Sequence, residues 1–165
     1  MRPPAATLAV AATLLLAACG GSTSTGADHG GHGTSTSGTP AAAQPADVAT
    51  AARTVDIETT DALKFEPPSV EVRRGETVAF KVTNAGHIDH EFEVGDAAFQ
   101  DRHETEMKDM GADMSSMNDE PTGFVVPPGQ TKTIAFTFAA SGSVLYGCHE
   151  PGHYAGGMKG TINVD

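Results

Sequence analysis

Residues 147–160 read Gly147-Cys148-His149-Glu150-Pro151-Gly152-His153-Tyr154-Ala155-Gly156-Gly157-Met158-Lys159-Gly160. A thiol, an imidazole and a thioether stand there at the spacing C-x4-H-x4-M. All three are soft or borderline donors, and all come from one stretch between two expected strands. One more imidazole completes a trigonal His2Cys set with a weak axial thioether, an arrangement suited to a copper ion that cycles between Cu(I) and Cu(II). His90 can supply it, at the head of the run His90-Glu91-Phe92-Glu93-Val94. Thiolate and thioether favour the reduced ion, imidazoles the oxidised one, and a rigid scaffold holds the compromise. Zinc would ask for a second thiolate or a carboxylate, and would leave Met158 without a role. Two other histidines compete. His87 lies just ahead of His90, but His90 leads directly into the strand. His149 adjoins Cys148, but the spacing selects His153, which leaves His149 at the surface or beside the ligands.

Such a set needs a stiff frame, and the pattern of the chain supplies strands. Inward-type residues alternate at Val55, Ile57 and the β-branched Thr59, at Val70 and Val72, and at Val78, Phe80 and Val82. The same period returns at Phe92 and Val94, at Ile134, Phe136 and Phe138, through Val144-Leu145-Tyr146, and in the closing run Thr161-Ile162-Asn163-Val164. Turn signals separate them: Arg74-Gly75, Asn84-Ala85-Gly86, Pro127-Pro128-Gly129-Gln130 and Ser141-Gly142. Six or seven short strands of this kind predict an all-β sandwich or Greek-key barrel. No glycine-rich phosphate loop follows a strand. The chain of 165 residues has room for one domain. Its formal net charge of -11 leaves no stripe of cations for phosphates, so nucleic acid is not an expected partner.

The front end reads as a targeting segment. Residues 1–18 carry Arg2 and then an apolar run from Leu8 to Ala18, too short for a permanent membrane span. It ends Leu16-Ala17-Ala18-Cys19, which resembles a bacterial lipobox and predicts lipidation of Cys19. Residues 19–51 are then the lipidated cysteine and a flexible linker. Apart from Asp28, His29, His32, Gln44, Asp47 and Val48, positions 20–51 are all Gly, Ser, Thr, Ala or Pro. Such a segment buries too little apolar surface to offset its ordering entropy, and as a coil it would reach ~30 Å. The folded domain is expected over 52–165.

One insertion, 96–122, interrupts the strands with a helical stretch from about Ala97 to Met117. Met107, Met110, Met114 and Met117 share one helical face with Phe99 and His103. Two readings account for this stripe. It is a packing face, since one side of an amphipathic helix must be buried and methionine fills irregular gaps. Alternatively His103 and the four methionines form a second, Cu(I)-selective site. The need to bury a face favours packing.

The run Asn84-Ala85-Gly86 before His90-Glu91-Phe92, with Cys148, His153, Met158 and Gly160-Thr161-Ile162, resembles the cupredoxins, the plastocyanin/azurin family of type 1 copper proteins. The resemblance covers about residues 52–165. The ligand-loop spacing is similar to rusticyanin and auracyanin, and the Cys-His-Glu-Pro-Gly-His run resembles small envelope cupredoxins associated with copper tolerance. It implies a cupredoxin Greek-key sandwich binding one type 1 copper ion through His90, Cys148, His153 and Met158. Members of the family usually place Asn or Ser after the first ligand histidine, where it pins the cysteine loop; Glu91 stands there here. The segment is also similar to the type 1 part of multicopper oxidases. Those enzymes carry a histidine directly before the cysteine and paired His-x-His motifs; this chain has Gly147 and no such pair. The expected role is therefore electron transfer rather than catalysis: a monomer, tethered by lipid outside a bacterial membrane, passing single electrons to a partner protein. The rival expectation is copper sequestration or delivery in the envelope.

Overall fold

The computed structural model describes residues 42–110 and 119–165. The expected signal peptide, Cys19, most of the expected linker with His29 and His32, and Met114 and Met117 lie outside the described residues. Among the described residues no helix is long and apolar enough to cross a membrane.

Among the described residues ten strands form two five-stranded sheets. The first runs in the order β1 (Ala43–Ala46), β8 (Thr131–Phe138), β5 (Thr77–Asn84), β2 (Arg53–Thr60), β3 (Lys64–Glu66). The second runs β4 (Ser69–Val72), β10 (Lys159–Val164), β9 (Gly142–Gly147), β6 (His90–Gly95), β7 (Gly123–Val126). The pairs β2–β5 and β4–β10 are parallel and the rest antiparallel. The expected all-β cupredoxin sandwich with one short helix is the fold observed.

Each run of alternating residues became a strand because its apolar face had a sheet to meet. Phe92 sits at the centre of the core, with ring centroids of Phe65, Phe80, Phe124 and Tyr146 at 5.8, 5.9, 6.1 and 5.3 Å. All five rings are buried. Each contributes about 2–3 kcal/mol by leaving water. Tyr146 keeps its hydroxyl satisfied by donating to the Pro67 carbonyl at 2.6 Å.

Three strands escaped the alternation pattern, and one of them corrects a boundary. The linker was expected to run to residue 51, yet Ala43–Ala46 pairs antiparallel with β8 and Ala43 is wholly buried. An edge strand of small residues needs backbone partners more than large side chains. Pro45 is tolerated there because an edge leaves one row of N–H groups unpaired. A 3-10 turn, Val48–Thr50, follows, with the Asp47 carboxylate accepting from the Ala49 N–H at 2.9 Å. The sandwich therefore begins before residue 52.

The insertion carries α1, Ala97–Met110. Asp96 starts it: its carboxylate accepts from the Phe99 N–H at 2.8 Å, its carbonyl from the Gln100 N–H at 3.0 Å. Phe99, Gln100, His103 and Met107 are buried against the second sheet, as a packing face requires. Met110 shares that face by periodicity but is 58% exposed, because it closes the last described turn beyond the sheet.

Candidate metal centre

The second sheet brings the expected ligands together. His90 opens β6, Cys148 follows β9, and Met158 precedes β10. Strands β9 and β10 pair Gly147 with Lys159, so the segment between them is a closed loop. The Cys148 N–H donates to the Met158 carbonyl at 3.1 Å, and the Met158 N–H to the His153 carbonyl at 3.0 Å. Within the loop the His153 N–H reaches the Glu150 carbonyl at 2.9 Å. Gly152 and Gly157 turn the chain at φ 85° and 96°, a region closed to most side chains.

The nitrogen and sulfur ligand atoms of His90, Cys148 and His153 lie within 4.8 Å of one another. The Cys148 sulfur is 3.3 Å from His153 Nδ1 and 3.9 Å from His90 Nδ1. His90, Cys148 and Met158 are fully buried; His153 is half-buried and reaches the surface. Burial, helped by the neighbouring His153, lowers the His90 pKa, and burial lowers that of His153. Both rings are therefore neutral at neutral pH and present lone pairs. Burial pushes the Cys148 thiol up to about 12, against which the Glu91 N–H donates to the sulfur at 3.3 Å. Neutral imidazoles around a thiol form a soft donor set. A cation held among them offsets the cost of ionising the sulfur, so these residues fit copper. His87 stands elsewhere: its N–H and Nδ1 engage Asp61 at 2.7 and 2.8 Å on the surface.

Two neighbours fix this geometry. Asn84 ties down the loop ahead of His90: its amide donates to the carbonyls of Ile88 and Val126 at 2.7 and 2.8 Å, and its oxygen accepts from the Gly86 N–H at 2.9 Å. Glu91 ties down the cysteine loop, its Oε2 accepting from the His149 N–H at 3.0 Å. The carboxylate thus performs the pinning expected of Asn or Ser at that position. His149 is buried rather than superficial. Its Nδ1 meets Glu104 at 2.9 Å, its Nε2 meets Gln100 at 2.7 Å, and its ring stacks on Tyr154. The loop is in this way bonded to α1.

His103, on the buried helix face with Met107, directs Nε2 to Glu91 Oε1 at 3.0 Å. Burial opposes its charge, but the bond to Glu91 and the nearby carboxylates outweigh burial and raise its pKa. Glu93, next along the strand, is pushed up to about 8 by burial and then by Glu91. The burial of Glu93 beside Glu91 was missed in the sequence. The available signal was a pair of glutamates alternating with core residues on a strand followed by an amphipathic helix.

A two-sheet sandwich that collects two imidazoles, a thiol and a buried methionine at one end defines the cupredoxin class. The chain belongs to the plastocyanin/azurin family of copper binding proteins, whose pattern matches residues 51–165. Its cofactor is copper. It is 39% identical over 121 residues to the "copper-resistant cuproprotein CopI" of Rubrivivax gelatinosus, covering 73% of this chain and 72% of that protein. The protein of the same description from Pseudomonas aeruginosa is 32% identical over 147 residues, covering 73% and 81%. Among solved structures, reduced auracyanin from Roseiflexus castenholzii superposes with a TM-score of 0.60 at 25% identity, covering 70% of this chain and 98% of that one. Auracyanin B gives a TM-score of 0.61 at 22% identity, covering 75% and 98%.

Proposed function

We propose that this chain is a lipid-anchored envelope cupredoxin that passes single electrons through a type 1 copper ion held by His90, Cys148, His153 and Met158. One observation carries the reading: of these four residues, only His153 reaches the surface. Its ring edge is the short route between a buried ion and a docked partner protein. Pro151, Gly152, Ala155, Gly156 and Gly157 around it are exposed, small and uncharged, so a partner can approach closely. The copper supplies a one-electron Cu(II)/Cu(I) couple. The chain's own bonds, from Asn84 to the His90 loop and from Glu91 to the cysteine loop, hold the ligands in one geometry for both states. No substrate turnover belongs to this role. The test is the visible and EPR spectrum of the copper-loaded protein. Thiolate-to-Cu(II) charge transfer gives intense colour, which Cys148→Ser abolishes; a colourless oxidised copper complex would refute the reading.

A second reading, copper tolerance, is favoured by the description of the relatives as copper-resistant. In it the same centre serves sequestration or delivery in the envelope. Cells lacking the chain would then become copper-sensitive. Rescue by the wild type but not by Cys148→Ser supports this reading, and equal rescue by both excludes the type 1 centre from tolerance.

A further inference from the structure

Strand β6 has two faces, and both are sealed. His90, Phe92 and Val94 alternate toward the core, while Glu91 and Glu93 point to the side covered by α1. Each glutamate is only 2% exposed. Two carboxylates at adjacent positions of one strand face repel each other, and burial without a cation makes that costly. Among the described residues neither forms an ion pair with a lysine or arginine; the one basic group that meets them is the His103 imidazole.

The ligand atoms of Glu91, Glu93 and His103 all lie within 4.8 Å of one another, and all three residues are buried. Glu93 Oε2 is buried with no hydrogen-bond partner. The opposing strand keeps room for that side chain: Gly123 pairs with Glu93, and a Cβ there would collide with the Glu93 carboxylate. The other oxygen of Glu91 is already used by the His149 N–H, which fixes the direction in which Oε1 points.

We propose that Glu91, Glu93 and His103 form a second metal site, separate from the type 1 centre, for a divalent first-row ion such as Zn(II) or Cu(II). Two carboxylates and one imidazole are oxygen and nitrogen donors without sulfur, a set that suits divalent ions and disfavours Cu(I). Ligands in a tetrahedral zinc site lie about 3.3 Å apart. The His103 Nε2 to Glu91 Oε1 distance of 3.0 Å is close to that, and the Glu93 oxygen, within 4.8 Å of both, would draw inward on binding. The His103 side chain is 11% exposed, which gives an ion a way in from the solvent side of α1. The site stands independently of the electron-transfer reading.

The experiment uses the full chain with the type 1 centre first loaded with one molar equivalent of Cu(II), which its thiolate set takes in preference to an oxygen and nitrogen site, so that its colour reports folding. Zn(II) is then added and bound zinc counted by elemental mass spectrometry. Wild type should hold one more zinc than Glu93→Gln or His103→Gln, or bind it roughly 100-fold more tightly, with the type 1 colour unchanged in all three. Zinc taken up elsewhere on the chain, by the linker histidines His29 and His32 for example, is common to the three proteins and cancels. Equal zinc content and affinity in wild type and both variants overturns the proposal. Zinc X-ray absorption on the wild type decides the matter even if a variant fails to fold. A shell of oxygen and nitrogen with one imidazole supports the site, and a sulfur in that shell, or no ordered shell, overturns it.

Discussion

Removing the Asn84 side chain should loosen the approach to His90 and destabilise the whole sandwich. The residue is wholly buried and makes three side-chain hydrogen bonds. In Asn84→Ala the Val126 carbonyl, on a fully buried residue, loses its amide partner, a cost of about 1–3 kcal/mol. The Ile88 carbonyl and Gly86 N–H lie in a more exposed loop and can turn to water, so each bond contributes about 0.5–1 kcal/mol. The total is about 2–5 kcal/mol, read from urea unfolding of the copper-free protein. Asn84→Asp sharpens the reasoning. It has nearly the same shape and can still accept from Gly86, but it sets an acceptor against two carbonyl oxygens. It should therefore be less stable than Asn84→Ala despite removing fewer atoms. An aspartate variant as stable as the alanine one, or an alanine variant within about 0.5 kcal/mol of wild type, refutes the idea that this amide is the tie.

Glu91→Ala leaves the buried His149 N–H without its acceptor and His103 without its partner, so copper-free unfolding should show a loss of about 2–4 kcal/mol. Met158→Leu should keep the colour of the copper protein and raise its potential, measured by redox titration, because a thioether that stabilises Cu(II) is removed. The Glu76 carboxyl is held below its ordinary value by the Arg53 guanidinium and the Arg73 N–H. Its contribution is therefore present above the unfolded value near 4.5 and lost as pH falls through the lower folded value. Glu76→Gln should cost about 0.5–1 kcal/mol at neutral pH and nothing in strong acid, by denaturation across pH. Cys19→Ala should move the protein out of the membrane fraction, seen by fractionation, while its copper spectrum stays the same.

The seven strands with period-two alternation were legible because each sends one apolar face into the core, β6 included, whose second, charged face is covered by α1. The strands Ala43–Ala46, Lys64–Glu66 and Gly123–Val126 were not, for separate reasons. The first is small and sits at an edge, the second is too short to alternate, and the third is a run of apolar residues with burial on both sides. At the metal centre, the cysteine, second histidine and methionine were legible because they share a short loop. His90 could be chosen over His87 because it begins a strand. The partners of Glu91 were not legible: they come from the cysteine loop and α1, 58 and 12 residues away, and only the packing of that helix joins them.

The latch between Cys148 and Met158 makes their loop a self-contained cassette. Because its ends are already joined by the β9–β10 ladder, residues gained or lost at its tip need not propagate into either sheet. Evolution can then lengthen the stretches flanking His153, and so reshape the metal's surroundings, by local trial. His90 has no such latitude. It is bound to the pleat of β6, where a shift of one position would exchange the faces of Phe92, Val94 and both glutamates. One ligand is thus fixed by architecture, while the other three travel together as a heritable unit.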